Sequence, residues 1–242
     1  MVGEWSGDWT GDIFRDHPRS YRGSMMRTMA SAVYMADILL FLMDRSGPDG
    51  HVAAACWHNF ANGAQEMFSI QATEEYARVL GAGRTWKGAI TDEGYGVRMP
   101  LYWVFSLLSR TCGDDLLETR LEAPDNRIKA PSPGLYTDPE YAFDRVTCCA
   151  TRRGAELSLA VVNKDAHQAV DLRVAVRGWA LDSAATAESV GAESYLAENS
   201  MADPKRVSPR EPERVAVTAG GEVRLVLPPN TVMVLRCRRA GD

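Results

Sequence analysis

The first nine residues of the chain, residues 1–9, read MVGEWSGDW, and they are the stretch that decides which fold the sequence predicts. A short apolar lead ends at Gly3 and is followed directly by Glu4 and Trp5. The lead predicts the tail of a buried strand, and the glycine lets a neighbouring backbone or a ligand come close. A carboxylate at the carboxyl end of a strand, beside an indole ring, is a common way to present an acid to a sugar, and in a (β/α) barrel that end carries the chemistry. The alternative is that Glu4 is a solvated residue at a frayed terminus.

The composition predicts a soluble and mildly acidic globular protein. The chain has 242 residues, of which 45% are hydrophobic, and its net charge is -5. This length is enough for one large domain or two small ones. The acidity argues against a nucleic-acid partner and against an anionic membrane. No signal-peptide pattern is seen at the start, and the most apolar stretch, residues 30–43, is too short to cross a bilayer.

The cysteines predict neither a zinc site nor a disulfide framework. There are five of them, an odd number, and no CxxC pair occurs. The adjacent Cys148 and Cys149 lie in a predicted strand, so their side chains are expected to point to opposite faces. We therefore expect reduced thiols, no bound metal, no cofactor and a cytoplasmic location.

Residues 24–57 predict the remainder of a strand-helix-strand unit. Apolar side chains recur at steps of three and four, which indicates a helix with Ser24 as its N-cap and its end near Asp44. Residues 46–50 predict a turn. The unbroken apolar run over residues 51–57 predicts a strand covered on both faces, as in a parallel sheet.

The segment after this second strand brings further polar side chains to the edge that holds Glu4. Parallel strands end at the same edge, so Asn59 and Asn62 are expected near Glu4. A short helix is expected at residues 73–80. Pro100 then opens a helix at its first position, with its end near Cys112. The packed side of this last helix is predicted to consist of Leu101, Val104, Phe105 and Leu108.

From residue 113 onward the sequence predicts an all-β module. Short runs separated by turn signals predict an antiparallel sandwich, and they lie at residues 146–150, 157–162, 170–176, 215–217, 223–227 and 232–237. The proline-rich residues 123–145 predict a loop. Two strands and two helices before residue 113 cannot form a sheet that buries both faces. We therefore expect the chain to be a fragment, or to need a partner for its missing strands.

Several motifs, taken in order, make nearly the whole chain resemble glycoside hydrolase family 51, the α-L-arabinofuranosidases. Gly3-Glu4-Trp5 is similar to the family's Glu-Trp at the end of the seventh barrel strand. Asn59 and Asn62 stand where the family has a Gln and an Asn after the eighth strand. The other matching stretches are MPLYWVF at residues 99–105, VVNKDAH at residues 161–167, and residues 199–209 and 227–232.

The resemblance implies a two-part fold of the α/β plus all-β class. Residues 1–112 would be the last two βα units of a (β/α)8 barrel, and residues 113–242 would be a jelly-roll-like antiparallel β-sandwich. It also implies a retaining hydrolase that removes arabinofuranosyl residues from arabinose-containing polysaccharides or oligosaccharides. Such enzymes use two carboxylates about 5 Å apart. A homo-oligomer is implied for the full-length enzyme.

The resemblance assigns roles to four residues. Glu4 would be the nucleophile, while the family's acid/base comes from the fourth strand and is assigned to no residue here. Trp5, Trp9 and Asn59 would bind the sugar. The offset of Trp9 from Glu4 does not match the family cleanly, and Asn59 is shorter than the family's Gln, so a loop-capping role stays open for Asn59.

Two other functions stay open. The chain could be a non-catalytic accessory or oligomerisation module, a function that the unassigned acid/base favours. It could also be a related retaining glycosidase with another sugar specificity, because Glu-Trp at a strand end occurs in several such families with related barrels. Because the acid/base is assigned to no residue here, we expect the 242-residue chain alone to show no glycosidase activity.

Overall fold

The computed structural model describes most of the second half of the chain and parts of the first. The described residues are 2–5, 28–47, 50–57, 61–62, 68–69, 97–123, 127–129, 142–199 and 203–241. The helices in these ranges are α1 (Met29–Asp44) and α2 (Pro100–Thr111). The strands before α2 are β1 (Val2–Trp5), β2 (Ala55–Trp57), β3 (Ala61–Asn62), β4 (Phe68–Ser69) and β5 (Val97–Arg98). Those after α2 are β6 (Asp115–Leu117), β7 (Arg127–Lys129), β8 (Ala142–Asp144), β9 (Val146–Arg153), β10 (Glu156–Asn163), β11 (Val170–Ala175), β12 (Ala184–Gly191), β13 (Glu213–Ala216), β14 (Glu222–Leu227) and β15 (Thr231–Arg238).

The predicted strand-helix-strand order at the start of the chain is confirmed. β1 and β2 pair in parallel, and α1 lies between them in sequence. The second strand is shorter than the predicted run of residues 51–57 and occupies only residues 55–57. The prediction that this run is covered on both faces was wrong for Ala53, Ala54 and Cys56, which are exposed. They are exposed because β1 and β2 form a sheet of only two strands within the described part of the chain.

Both strongly periodic segments form helices, with two corrections. The N-cap of α1 is Thr28 and not Ser24. Thr28 is extended and forms an antiparallel bridge with Glu198, which prevents the helix from starting earlier. Pro100 opens α2 as predicted. Phe105, however, is 39% exposed, because it lies beside the buried face of that helix and not on it. The helix expected at residues 73–80 lies outside the described residues.

Neither of the two described helices is long and apolar enough to serve as a membrane span.

The second half of the chain is antiparallel, as the sequence predicts. One sheet has six strands in the order β13-β12-β15-β10-β9-β6, and β11 pairs separately with β14. All six predicted runs form strands. The prediction missed β6 and β12, and it also missed a short hairpin of β7 with β8 within the stretch expected to be a loop. The described part of the chain is thus mostly antiparallel sheet with few helices.

The six-stranded sheet is buried on both faces. Its first face packs against α1 and α2, and its second face packs against the β11-β14 pair. Cys149 belongs to the helix side of this core and Cys148 packs on the other side, so the prediction that they point to opposite faces is confirmed. The helices therefore share one core with the sandwich, and this contact fixes their position relative to it.

Candidate active site

The carboxyl ends of β1 and β2 form the edge at which the sequence predicts a site. Glu4 pairs with Cys56, and Trp5 pairs with Trp57 at the last position of both strands. The register shifts between Val2 and Glu4, around the glycine that separates them. A glycine in a strand often marks such an irregularity. The backbone of Glu4 therefore lies at the carboxyl edge of a parallel pair, as expected from the sequence.

The four predicted site residues have different outcomes. Glu4 and Trp5 are the last two residues of β1. Trp9 and Asn59 lie outside the described residues, so their predicted contacts with the sugar stay predictions. Asn62 is described and ends β3, shortly after the end of β2.

A small sheet connects this edge to the last helix. β3 pairs in parallel with β4, and β4 pairs in antiparallel fashion with β5. β5 is followed by Met99 and then by α2. The segment that leaves the carboxyl end of β2 is therefore tied through two strand pairings to the start of α2.

Arg98 was not among the predicted site residues, and it contacts two aromatic rings in the first turn of α2. The Cζ atom of its guanidinium lies 5.4 Å from the ring centroid of Tyr102 and 5.6 Å from that of Trp103. The two rings meet edge to face at 5.1 Å. Cation–π contacts of this kind stabilise a local arrangement by about 0.5–2 kcal/mol. The only signal in the sequence was an arginine directly before the MPLYWVF motif.

Glu4 is the only acidic residue of β1 and β2. No group of three or more His, Cys, Asp or Glu side chains in the described ranges could hold a metal ion. The nearby strand partner Cys56 is a free thiol. A carboxylate at such an edge can act as a nucleophile or can exchange a proton with a substrate oxygen.

Residues 3–231 match the family model of the α-L-arabinofuranosidase C-terminal domain. The chain belongs to this family. The match begins at Gly3 and therefore includes the Glu4-Trp5 pair at the edge described above. The predicted resemblance to glycoside hydrolase family 51 is confirmed.

Solved structures of arabinofuranosidases share the fold of this C-terminal domain. The GH51 arabinofuranosidase from Xanthomonas axonopodis pv. citri is 19% identical, with a TM-score of 0.70 over 98% of this chain and 41% of that one. The α-L-arabinofuranosidase from Thermotoga maritima, solved as an arabinose complex, is 19% identical, with a TM-score of 0.64 over 86% of this chain and 38% of that one. The family 51 enzyme AbfB from Bifidobacterium longum is 13% identical, with a TM-score of 0.64 over 98% and 42%. No curated protein matches the chain.

The family match supports a protein of the glycoside hydrolase type. At identities below 20% the structural similarity is one of fold. The chain spans about two fifths of the length of these solved arabinofuranosidases.

Proposed function

We propose that this arabinofuranosidase C-terminal domain carries the nucleophile of a retaining α-L-arabinofuranosidase, and that the nucleophile is Glu4. The supporting observation is the parallel pairing of β1 with β2, in which Glu4 is the last residue but one of its strand. The carboxyl edge of parallel strands carries the active site in (β/α) barrels. The family match supports the same assignment, because it includes this strand.

The proposed architecture has two parts. Residues 1–112 are the last two βα units of a (β/α)8 barrel, with α1 and α2 as its last helices, and residues 113–242 are a jelly-roll-like sandwich. The order β1-α1-β2 followed by α2 supports the first part, and the six-stranded sheet with the β11-β14 pair supports the second. The remaining barrel strands and the acid/base come, on this proposal, from polypeptide outside this sequence.

The proposed reaction has two steps. The Glu4 carboxylate attacks the anomeric carbon while a second carboxylic acid protonates the leaving oxygen, which produces an ester between Glu4 and the sugar. The second carboxylate then removes a proton from water, the water attacks the same carbon, and Glu4 is released. The two carboxyl groups must lie about 5–5.5 Å apart for this sequence of events.

The family membership supports the substrate class that we propose. We assign contacts with the sugar to Trp5, Trp9 and Asn59, and we take arabinose-containing polysaccharides or oligosaccharides as the substrate class. This reaction needs no metal and no cofactor. We further propose a cytoplasmic location and a homo-oligomer for the full-length enzyme.

The test compares two proteins, the 242-residue chain alone and the same chain joined behind the first six βα units of a family barrel. We expect the chain alone to be inactive and the joined protein to hydrolyse an aryl α-L-arabinofuranoside. In the joined protein, Glu4→Gln should lower kcat by about three orders of magnitude, on the order of 4 kcal/mol of transition-state stabilisation. The matched control is Glu211→Gln, because Glu211 is exposed and lies in the sandwich. Wild-type turnover by Glu4→Gln would refute the assignment.

A non-catalytic accessory or oligomerisation role is the second candidate. It is favoured by the outward side of α1, where Tyr34 and Phe41 are 44% and 56% exposed and offer an apolar surface. On this alternative the joined protein binds arabino-oligosaccharides in calorimetry without hydrolysing them. The same assay with aryl xylosides and glucosides separates an arabinofuranosidase from a retaining glycosidase of another specificity.

A further inference from the structure

A loop of the sandwich contacts the first residues of α1. The Met29 amide donates to the Ala197 carbonyl at 2.8 Å, and the Ala30 amide donates to the Tyr195 carbonyl, also at 2.8 Å. The first amides of a helix have no partner within the helix, and in α1 these two carbonyls accept from them. Carbonyls from the sandwich therefore take the place of an N-cap. We name residues 195–199 the clamp segment.

The same segment contacts the start of α2 through one buried side chain. The Nδ2 atom of Asn199 donates to the Arg98 carbonyl at 2.7 Å and to the Val207 carbonyl at 2.7 Å. Its Oδ1 atom accepts from the Val207 amide at 2.7 Å. Asn199 is fully buried. Its amide thus joins the end of β5 to the sandwich, directly before the helix.

Backbone pairing continues this connection toward the proposed active site. Arg98 pairs with Phe68 of β4, and Phe68 pairs with Ala61 of β3. Ala61 follows Asn59 closely in the sequence. A short line of hydrogen-bonded neighbours therefore leads from Asn199 to the segment that carries one proposed sugar-binding residue.

The other proposed sugar-binding segment ends on the clamp segment as well. It leaves β1 at Trp5, contains Trp9 and reaches α1 at Thr28, which bridges Glu198. The stretches of sequence that follow β1 and β2 thus lead to Thr28 and to Arg98, and both of these residues contact residues 195–199 of the sandwich. Packing of the helices against the sheet involves apolar side chains and would not by itself require these polar contacts.

We propose that Asn199 is a positioning residue. On this proposal the clamp segment holds Thr28 and Arg98, at which the stretches that follow β1 and β2 reach the two helices. The inference rests on the proposed function for its catalytic meaning, while the contacts themselves are independent of it. The sandwich then has a role in the reaction, because it sets the position of the sugar-binding residues without touching the sugar. An error of about 1 Å in such positions can lower a rate by about 100-fold.

The test uses Asn199→Ala with Asn163→Ala as the matched control. Asn163 is also fully buried. Its Nδ2 atom donates to the carbonyls of Gln168 and Pro228 at 2.8 and 3.0 Å, and its Oδ1 atom accepts from the Asp165 amide at 3.0 Å. All of these partners are in the sandwich. The two variants lose the same buried side chain, but only the Asn199 side chain bonds to the Arg98 carbonyl, close to the start of α2.

The first measurement is hydrogen exchange of backbone amides in the 242-residue chain. We expect Asn199→Ala to raise exchange about 5- to 150-fold at residues 29–30, 61–62 and 97–98, the range that corresponds to leaving a buried polar group unpaired. Asn163→Ala should leave these amides unchanged. Equal effects of both variants, or no effect of Asn199→Ala, would overturn the proposal.

If Asn199→Ala does not fold, the wild-type chain decides. Native-state exchange at low denaturant must then show the amides of Met29, Ala30 and Val207 opening together. Independent opening of the helix amides and the Val207 amide would contradict the clamp.

The second measurement tests catalysis in the joined protein. Asn199→Ala should lower kcat and raise KM for an aryl arabinofuranoside at a temperature where the protein stays folded, whereas Asn163→Ala should change neither. Unchanged kinetics for Asn199→Ala would overturn the positioning role even if exchange is raised. If the wild-type joined protein is inactive, the proposed function fails, and the exchange experiment still decides whether the clamp exists.

Discussion

Removal of the Glu188 carboxylate should destabilise the chain more than any change at its exposed acids. Glu188 lies on β12 in the six-stranded sheet, and its side chain is only 8% exposed. Its Oε2 atom accepts from Arg110 of α2 at 2.5 Å, and its Oε1 atom accepts from Arg236 of β15 at 2.6 Å. One carboxylate thus links a helix to two neighbouring strands. Glu188→Ala deletes both contacts at once.

The exposure of the two arginines sets the magnitude. Loss of one partner from a fully buried pair costs about 3–5 kcal/mol, because a charge stays buried without a partner. The side chains of Arg110 and Arg236 are 46% and 32% exposed, so water can solvate part of each charge. Arg236 also retains Glu156 at 3.5 Å. We therefore expect Glu188→Ala to lower the free energy of unfolding by about 2–3 kcal/mol, and Arg110→Ala to lower it by about 1 kcal/mol or less.

Urea unfolding followed by circular dichroism measures these changes. With a denaturant slope of about 3 kcal/mol per molar, a loss of 2–3 kcal/mol lowers the midpoint by about 0.7–1 M. The control is Glu213→Ala, since Glu213 is an exposed acid at the edge of the same sheet and should change stability by less than about 0.5 kcal/mol. A change of less than 0.5 kcal/mol for Glu188→Ala would refute the reasoning that this carboxylate is a buried link.

Three further predictions concern the core. Burial raises the pKa of the Cys149 thiol to about 12, so at pH 8 a thiol reagent should modify the exposed Cys56 first and Cys149 only after unfolding. The same shift makes stability independent of this group below the thiol's usual pKa of about 9 and lowers it as the pH rises further, because only the unfolded chain ionises readily; alkaline titration of the unfolding midpoint checks the sign. Met35 is fully buried between α1 and the sheet, so Met35→Ala should cost about 2–5 kcal/mol in urea unfolding. Phe41→Ala on the exposed side of the same helix should cost much less, and equal losses would contradict the assigned orientation of α1.

The sequence predicted those strands in which apolar residues at buried positions alternate with polar residues at exposed positions. In β11, Val170, Leu172 and Val174 are partly buried and the residues between them are exposed, so the pattern carries the structure directly. β12 was missed because small and polar residues fill it, and four consecutive positions from Ala187 to Val190 are buried. Small residues fit there because the strand lies between β13 and β15, and this neighbourhood is set by residues far away in the chain.

In the candidate site, too, local sequence patterns predicted some features, while others depend on contacts between distant residues. The position of Glu4 could be predicted because strand direction alone brings the ends of two parallel strands to one edge, and that argument needs only local patterns. The role of Asn199 could not, since its amide binds the carbonyl of Arg98, 101 positions away, and a backbone carbonyl has no side-chain identity to read. Sequence patterns therefore predict which residue presents the acid, while the contacts that fix the surrounding segments depend on how the sandwich and the helices pack. On the proposed function, substitutions within residues 195–199 are therefore expected to change arabinofuranoside kinetics, whereas matched substitutions elsewhere in the sandwich, such as Asn163→Ala, are expected to leave them unchanged.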